Sequence, residues 1–556
     1  LLFGLLILGM AAPPAHAQVW RWATQASPDT AARPLASARD RHGNLLVAGW
    51  FRGTQVFGAD TLRASGLPNA FVAKLSAAGQ WLWARQVRHP GNRTGPNPPQ
   101  ERGSSSITAL AVDTAGNVVF TGTFWGRASV YFGSFHMGNP VSTNFVASLT
   151  PAGQWQWATR VTQQTYPTVL VLDETGHAFI AGYQYDTQQS SQYRLALWRV
   201  SRTGWYSWRA YQMMVVDWDL TSPVRMAFDR TGNLCLAVAF TGQITGGGWN
   251  GQLINETSAG GSDILLLGAN RGSGLLEWGI RLGGSANEVP AALVRDPVTN
   301  DLWLAGQYDG ATRLGADNLA CAGASDIFLV RIDSSHQWQD PYRVGGPGAD
   351  SCRALAIGPA GDHYIAGQFT QQITLGDTTL TSAGGSVPDV FVAQAKDQQW
   401  QHAARVGEAG AERVWSLTLS PDSVVTDTGA FTSPSLPFSN TTLHSSPSAA
   451  PGSLFVASVN LTAPPPRLGP PLLPAPPDSQ EACTLWPDPA TTYTNLRLSR
   501  APAAPLTVRL FDATGRLIRQ QELPAGQVEV VLSLQGLAPG LYLARVDGRT
   551  CRVVVQ

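Results

Sequence analysis

The stretch FVAKLSAAGQWLWARQV at residues 71–87 recurs, partly changed, as FVASLTPAGQWQWATRV at 145–161. Both copies place Val, Ala, Phe and Trp on either side of a Gly-containing turn, which is typical of two adjacent strands in a hairpin. Residues two apart on a strand point to the same side, so we expect Trp81 and Trp83 to share a face. Filling the space between neighbouring sheets is the favoured role for these rings, and an exposed platform for sugars is the alternative.

Two further pieces recur together with this hairpin. One has an Asp-x-x-Gly-Asn turn and occurs as DRHGNLLVAGWF from Asp40 and as DTAGNVVFTGTF from Asp113. Copies of these pieces continue to FVASV at 455–459. About seven copies, roughly 50 to 75 residues apart, have the period of a solenoid, a propeller or an array. No sustained helical periodicity interrupts them.

Each copy contains four short strand-like runs, so the sequence predicts an all-β fold, a β-propeller of about seven four-stranded blades. The array begins with WRWATQ at 20–25, which lacks the strand that should precede it, and ends with FVASV at 455–459, which lacks the strand that should follow. We therefore expect the N-terminal strand to complete the last blade and close the ring, because closure leaves no open sheet edge.

The overall charge argues against one class of partner. Charged residues make up 14% of the chain and its formal net charge is zero. Arginines are spread along the sequence without a basic block, so the electrostatic basis for nucleic-acid binding is missing. We expect no nucleic-acid partner.

The first residues, LLFGLLILGMAAPPAHAQ, form an apolar run followed by small residues that suit a signal peptidase. We expect a signal peptide over 1–17, cleaved between Ala17 and Gln18; a retained anchor helix is the alternative. The run is shorter than the roughly 20 apolar residues that span a bilayer. We expect the mature protein to have no transmembrane helix and the propeller to occupy 18–461.

The composition changes after Leu461. Residues 462–481 are rich in proline, which favours an extended linker. Residues 482–556 contain several strand-like runs separated by turn signals, which predict a small separate β-sandwich.

Two family resemblances follow from these motifs. The repeats resemble the SBBP-type bacterial β-propeller repeat, with its D-x-x-G-N hairpin, T-G-x-F exit and F-V-A-K-L strand. The C-terminal segment resembles the type A sorting domain of the Bacteroidetes type IX secretion system. Trp486 and Asp488 depart from the usual Y-P-N-P opening of that family. The sequence stretches that carry this second resemblance are LWPDPATTYTNLRLS from Leu485, VRLFDATGRLIRQQEL from Val508 and LSLQGLAPGLYLARVDGRTCRVVVQ from Leu532.

The second resemblance implies a route rather than an activity. It implies Sec export through the periplasm, recognition of residues 482–556 by the type IX secretion machinery, and a secreted or outer cell-surface location. The propeller resemblance implies a scaffold, since this fold supports binding, catalysis and structural roles alike.

The Asp-x-x-Gly-Asn turns raise the question of a metal. Asp and Asn oxygens on a tight loop suit calcium. The favoured reading is that Asp starts a turn and Gly-Asn supplies its backbone geometry. We expect no cofactor, with calcium as the alternative.

Acidic residues recur at two equivalent positions of the later copies. Because equivalent positions in a ring face the same end, they predict a partial acidic crown near one mouth of the channel, for a cation or a basic ligand. Capping of loop amides is the favoured alternative. The first set precedes the first strand and the second precedes the FVA strand: Glu288, Asp350 and Glu412; Asp263, Asp326 and Asp389.

The chain has five cysteines, an odd number, and export would permit disulfides. Cys483 and Cys551 flank the C-terminal segment and form one candidate pair. Cys321 and Cys352 form the other. Cys235 lies in a strand-like run and is predicted to be a small buried apolar residue.

No established catalytic motif is found in the sequence. We therefore expect a non-enzymatic scaffold that binds an extracellular glycan or protein. The alternatives are a carbohydrate-active enzyme with carboxylates from several blades, and a purely structural surface component. The loops that vary most among the copies, such as 89–105 and 241–262, are the expected place for recognition.

Overall fold

The computed structural model describes residues 20–461 and 484–555, apart from short gaps. Its described secondary structure consists of β-strands and turns without a helix, which confirms the all-β class. Contacts divide the chain into an N-terminal unit, 1–466, and a C-terminal unit, 467–556. The predicted signal peptide and linker lie outside the described residues. The gaps are 27–29, 65–66, 90–102, 127–128, 139–142, 164, 187–191, 218–222, 248–252, 440, 446–451, 487–492, 499–501, 513–515, 539 and 547–548.

No helix capable of crossing a bilayer is present in the part of the chain that the structure describes.

Within the described residues, a pattern of four antiparallel strands recurs seven times, and we number these repeats 1 to 7. The chain begins with β1 (Trp20–Gln25). Repeat 1 comprises β2 (Ala32–Arg39), β3 (Leu45–Phe51), the hairpin strands β4 (Thr54–Phe57) and β5 (Asp60–Arg63), β6 (Asn69–Leu75) and β7 (Trp81–Gln86). Repeat 2 comprises β8 (Gly103–Val112), β9 (Val118–Gly126), the hairpin strands β10 (Val130–Phe132) and β11 (Phe135–Met137), β12 (Thr143–Leu149) and β13 (Trp155–Gln163).

Repeats 3 and 4 join at their edges into one nine-stranded sheet, because β17 pairs with the long strand β19. Repeat 3 comprises β14 (Thr165–Leu172), β15 (Ala178–Asp186), β16 (Gln192–Val200) and β17 (Tyr206–Asp217). Repeat 4 comprises β18 (Arg225–Phe228), β19 (Leu234–Gly247), the added strand β20 (Leu253–Thr257), β21 (Asp263–Ala269) and β22 (Leu276–Leu282).

Repeats 5 to 7 again carry a short hairpin after the second strand. Repeat 5 comprises β23 (Glu288–Arg295), β24 (Leu302–Tyr308), β25 (Thr312–Leu314), β26 (Asp317–Leu319), β27 (Asp326–Ile332) and β28 (Trp338–Val344). Repeat 6 comprises β29 (Asp350–Ile357), β30 (His363–Phe369), β31 (Gln372–Leu375), β32 (Thr378–Thr381), β33 (Asp389–Lys396) and β34 (Gln399–Val406). Repeat 7 comprises β35 (Glu412–Leu419), β36 (Val425–Phe431), β37 (Ser435–Phe438), β38 (Thr441–His444) and β39 (Ser453–Val459).

The fourth strand of repeat 7 comes from the other end of the N-terminal unit. β1 pairs antiparallel with β39, which gives the sheet order β1-β39-β36-β35. The backbone N–H of Trp20 donates to Ser439 Oγ over 2.9 Å, although the two residues are 419 positions apart. The Trp20 ring also packs edge-on against Phe438, with centroids 5.2 Å apart. Ring burial and the strand pairing together hold this distant segment in place.

The fourth strand of repeat 1 corrects the expectation for its two tryptophans. Along β6, Leu75 pairs with Trp81 and Lys74 pairs with Trp83, so the register shifts at Leu82. This β-bulge turns the rings to opposite faces: Trp81 joins one hydrophobic core and Trp83 the next. The prediction of a shared face was wrong because strict alternation holds only along a regular strand.

The second tryptophan of the fourth strand packs on the next repeat. The Trp83 indole lies on the turn of repeat 2, where a Cβ on Gly153 would stand 2.8 Å from the ring. Its Nε1–H donates to the carbonyl of Pro151 over 3.1 Å. Gly153 also has a φ of 77°, a conformation that favours glycine. The same ring-on-glycine contact joins further neighbours: Trp22 with Gly79, Trp157 with Gly204, and Trp208 with Gly274.

The C-terminal unit consists of two sheets around its own core, which buries Leu496, Leu510 and Val553. Its strands are β40 (Thr484–Trp486), β41 (Tyr493–Arg497), β42 (Leu506–Asp512), β43 (Leu517–Leu523), β44 (Glu529–Ser533), β45 (Gly540–Val546) and β46 (Arg549–Val555). The first sheet has the order β40-β41-β44 and the second the order β43-β42-β45-β46.

Gly153→Ala tests the ring-on-glycine contact. We expect the strained backbone to cost about 1 kcal/mol and the displaced Trp83 ring to add about 1–3 kcal/mol. The matched control is Gly361→Ala, with a φ of 84° but its nearest neighbour atom at 3.9 Å. Urea unfolding followed by tryptophan fluorescence compares the two variants. Equal losses of stability in both would contradict the packing role.

Candidate functional site

The Asp-x-x-Gly-Asn turns engage their own carboxylates. Asp40 Oδ1 accepts the backbone N–H groups of His42 and Asn44 over 2.9 and 3.0 Å. Its Oδ2 accepts a hydrogen bond from the Asn44 side-chain amide over 2.9 Å. The same oxygen forms an ion pair with Lys74 Nζ, also over 2.9 Å. Burial alone would raise the pKa of Asp40, but the bonds from Asn44 and Lys74 lower it below its usual range. The Asp is therefore a turn-capping residue in this structure.

The six predicted acidic residues form three pairs across repeat boundaries. Each pair joins the start of a third strand to the start of the next repeat's first strand, and all six side chains are 0% exposed. They therefore lie inside the protein, away from solvent. The pairs are Asp263 with Glu288, Asp326 with Asp350, and Asp389 with Glu412.

The first carboxylate of each pair is held by an arginine of its own repeat. In the middle pair, Asp326 Oδ2 accepts from Arg343 over 3.0 Å and from the backbone N–H of Ala322 over 2.8 Å. Gly345 leaves the space for this carboxylate, since a Cβ there would lie 2.1 Å from Asp326 Oδ1. The other pairs repeat the arrangement: Asp263 with Arg281 and Ala259, and Asp389 with Arg405 and Ala383.

The second carboxyl of each pair has no arginine in the described structure. Asp350 Oδ2 accepts the backbone N–H of Gly346 over 2.7 Å, and Glu412 Oε1 accepts the Ser433 hydroxyl over 2.5 Å. Burial raises the pKa of Asp350 to about 7, and the neighbouring Asp326 adds to the rise. Burial likewise raises the pKa of Glu412 to about 7. Each second carboxyl is therefore disposed to hold a proton.

In two of the three described pairs, each carboxyl has one buried oxygen without a hydrogen-bond partner among the described residues. Asp326 Oδ1 and Asp350 Oδ1 are both buried without a hydrogen-bond partner among the described residues. A proton on one carboxyl can satisfy both oxygens of such a pair. When the second carboxyl holds a proton, the pair contains one carboxylate and one arginine and is electrically neutral, which lowers the cost of burying it.

The pH dependence of unfolding tests this arrangement. The folded pKa of Glu412 and Asp350 lies above the unfolded value of about 4, so their stabilisation is complete below about pH 4 and is lost as the pH rises through about 7. We expect the melting temperature to fall between about pH 5 and pH 8.

Glu412→Gln, which keeps the acceptor for Ser433 without an ionisable group, should flatten this profile. The exposed Glu277→Gln is the control and should leave it unchanged. Parallel profiles for Glu412→Gln and the unmodified protein would show that the proton on Glu412 does not produce the pH dependence.

Sequence reasoning missed a group of arginines on the first strands. Arg33 and Arg413 line a cavity of about 230 Å³ between repeats 1 and 7, together with Trp415. The positive charge of Arg353 helps to lower the pKa of Arg33. It also helps to lower the pKa of Arg225, which begins the first strand of repeat 4. These arginines are far apart in the sequence, so their proximity was not evident from it. The sequence signal that could have revealed the cluster is that Arg33 and Arg413 occupy the same position of two repeats.

The turn end of the repeats carries two further pockets. One, of about 820 Å³, lies between repeats 2 and 3 and is lined by Asp113, Trp157 and Arg202. The other, of about 260 Å³, lies between repeats 4 and 5, where His336 stacks on Trp278 with centroids 3.8 Å apart. The described residues contain no cluster of three or more Asp, Glu, His or Cys with metal-site geometry.

Exposed aromatic side chains gather where repeats 2 and 3 meet. Trp125 at the end of β9 is 45% exposed, and its ring lies 5.8 Å from that of Tyr166 on β14. Tyr131 on the adjacent hairpin is 37% exposed and stacks on His136. Trp205, 77% exposed, lies on the turn between β16 and β17, at the opposite end of the strands. The predicted recognition loops lie partly outside the described residues, at 90–102 and 248–252.

The cysteines follow the predictions in part. Cys321 and Cys352 are free, so their predicted disulfide is wrong. The Sγ of Cys321 faces the Gly323 carbonyl in a loop of repeat 5, whereas that of Cys352 faces the Ala354 carbonyl inside repeat 6. Cys551 is disulfide-bonded; Cys483, its predicted partner, lies outside the described residues.

Cys235 is free and fully buried, as predicted. It packs in the core shared by repeats 4 and 5, together with Leu304 and Phe328. Burial raises the pKa of its thiol far above the usual range, so it behaves as a small apolar side chain.

Residues 484–556 match the family model of the secretion system C-terminal sorting domain. The C-terminal unit is therefore a sorting domain, as predicted, and such a domain implies export. None of the curated protein sequences matches the chain.

Several solved structures resemble the chain at low identity. Virginiamycin B lyase from Staphylococcus aureus has 10% identity and a TM-score of 0.36, covering 79% of this chain and 98% of its own. Polysaccharide lyase Uly1 has 9% identity and a TM-score of 0.36, covering 82% and 94%. A gluconolactonase from Xanthomonas campestris has 12% identity and a TM-score of 0.28, covering 62% and 96%. At these TM-scores the backbones superpose only in part, and no activity is transferred to this protein.

Proposed function

We propose that the seven repeats form a closed seven-bladed β-propeller of the SBBP type over residues 18–461. The pairing of β1 with β39 supports closure, because it supplies the fourth strand of repeat 7. The first strands of repeats 1 and 7 also meet, where the hydroxyls of Ser37 and Ser416 lie 2.8 Å apart. The signal peptide is assigned to 1–17, the linker to 462–481 and the sorting domain to 482–556.

The chain is exported through the type IX route and acts outside the cell. Sec export after cleavage at Ala17–Gln18 delivers it to the periplasm. The sorting domain then addresses it to the secretion machinery, with release or surface attachment as the result. The match of residues 484–556 to the sorting-domain family supports this route.

Deletion of 484–556 tests the route in a host with the type IX system. We expect the truncated protein to accumulate in the periplasm, because the address is missing. The full chain should be found in the medium or on the cell surface. Fusion of residues 467–556 to an exported reporter is the reciprocal control. Extracellular appearance of the truncated protein would contradict this assignment.

The extracellular role is a non-enzymatic binding scaffold for a glycan or protein. The observation that carries it is the exposed Trp125, whose ring lies beside the half-buried Tyr166, with the exposed Tyr131 in the same repeat as Trp125. Exposed aromatic rings with one polar edge are common anchors in recognition surfaces, since they bury large area at low entropic cost. The six acidic residues serve this scaffold from inside, as links between blades: Asp263, Asp326, Asp389, Glu288, Asp350 and Glu412.

A glycan array probed with the full chain, and with Trp125→Ala, tests the binding surface. We expect the substitution to weaken a specific hit at least about tenfold, because it removes a central ring. Trp205→Ala is the matched control, since it removes a more exposed ring at the opposite end of the strands. Equal binding by Trp125→Ala and the unmodified protein would overturn the assignment of this surface.

A further inference from the structure

The cavity between repeats 1 and 7 is built from matching positions of two first strands. Arg33 on β2 pairs with Trp50, and Arg413 on β35 pairs with Ala430, each two residues before a β-bulge. Both arginines line the same cavity of about 230 Å³. The Arg33 guanidinium lies 4.6 Å from the centroid of the bulged Trp415 ring.

Further positive charge comes from the neighbouring first strands. Arg353 lies at the bulge of β29, and Arg225 begins β18. Burial, followed by the charges of Arg413 and Arg353, lowers the pKa of Arg33. Burial, followed by the charge of Arg353, also lowers the pKa of Arg225. Arg33 and Arg225 are half-buried, whereas Arg353 and Arg413 are exposed. Arg353 repels both Arg33 and Arg225, and Arg413 also repels Arg33.

No acidic side chain among the described residues forms an ion pair with these arginines. The described lining of the cavity contains no Asp or Glu. Among the ion pairs of the described residues, none involves Arg33, Arg225, Arg353 or Arg413. The Nε atoms of Arg33 and Arg225 are buried without a described hydrogen-bond partner. This contrasts with the buried Asp326, which has Arg343 as its own counter-ion.

The chemistry of this lining selects its ligand. Guanidinium groups present N–H donors in a planar fork that matches the oxygens of carboxylate and sulfate groups. Stacking on Trp415 holds the Arg33 plane in position before a ligand arrives, which reduces the entropic cost of binding. Partial enclosure strengthens the attraction relative to bulk water.

We propose that this cavity is an oxyanion-binding site that takes the carboxylate or sulfate group of an acidic sugar, with Arg33 and Arg413 as its principal donors. The site deepens the proposed binding function, on which it rests, by naming the chemical class of one ligand. It is separate from the aromatic surface around Trp125, so the two can be tested independently.

Isothermal titration of the full chain at constant ionic strength tests the site, with sodium sulfate, glucuronate and neutral glucose as probes. We expect one molecule of sulfate or glucuronate to bind per chain, and glucose not to bind. Tighter binding of glucuronate than of sulfate would support an acidic sugar as the ligand. Equal binding would support recognition of the oxyanion alone. No binding of either anion up to about 10 mM would overturn the proposal.

Arg413→Gln should weaken anion binding at least about tenfold, because it removes a charge-assisted donor. Its matched control is Arg313→Gln, which removes an exposed arginine whose Nε–H donates to the Gly315 carbonyl. Without ligand, Arg413→Gln should also raise the melting temperature, since it relieves repulsion, and Arg313→Gln should not. Unchanged anion affinity in Arg413→Gln would overturn the site.

Trp125→Ala distinguishes the oxyanion site from the proposed aromatic binding surface around Trp125. If the proposed aromatic surface is wrong and the oxyanion site is correct, Trp125→Ala and the unmodified protein will bind sulfate equally. Their glycan binding on the array will then also be equal. If the oxyanion site fails alone, the array hit will still depend on Trp125.

Discussion

The packing of one tryptophan on the turn of the following repeat is the contact on which the repeat array depends. The indole of Trp83 occupies the space that a side chain at residue 153 would need, so the turn must carry glycine. The same geometry places Trp22 of β1 on the turn that contains Gly79. This contact links repeats 1 to 4 in succession, and through Trp22 it also links β1 to repeat 1.

Charge inside the repeats is organised by compensation. The pairs represented by Asp326 and Asp350 combine two carboxyls with one arginine, and a proton on the second carboxyl completes their neutrality. The arginines around Arg33 and Arg413 lack such partners among the described residues. The fully buried carboxyls form neutral links between sheets, whereas the half-buried Arg33 and the exposed Arg413 line a cavity with unbalanced positive charge. The difference lies in which charges the fold brings together.

The candidate sites show where sequence reasoning reached its limit. Recurrence placed Asp263, Asp326 and Asp389 at equivalent positions, but it did not show that they are buried beside arginines. Spacing alone suggested a bridge between Cys321 and Cys352, whereas the two thiols face different carbonyls in different repeats. The Trp125 and Tyr166 pair was also invisible, because its members belong to adjacent repeats. Each of these features is a relation between segments that are distant in sequence.

The sequence by itself determined the all-β class, the repeated four-strand pattern and the C-terminal sorting domain. These follow from local signals: short β-prone runs, turn residues and family motifs that need no long-range contact to be read. Tertiary structure decided the orientation of Trp81 and Trp83, since a bulge at Leu82 reverses one side chain relative to the other. It also decided which charges are paired, because burial and distance set electrostatic energies and neither is encoded in the spacing of residues along a chain.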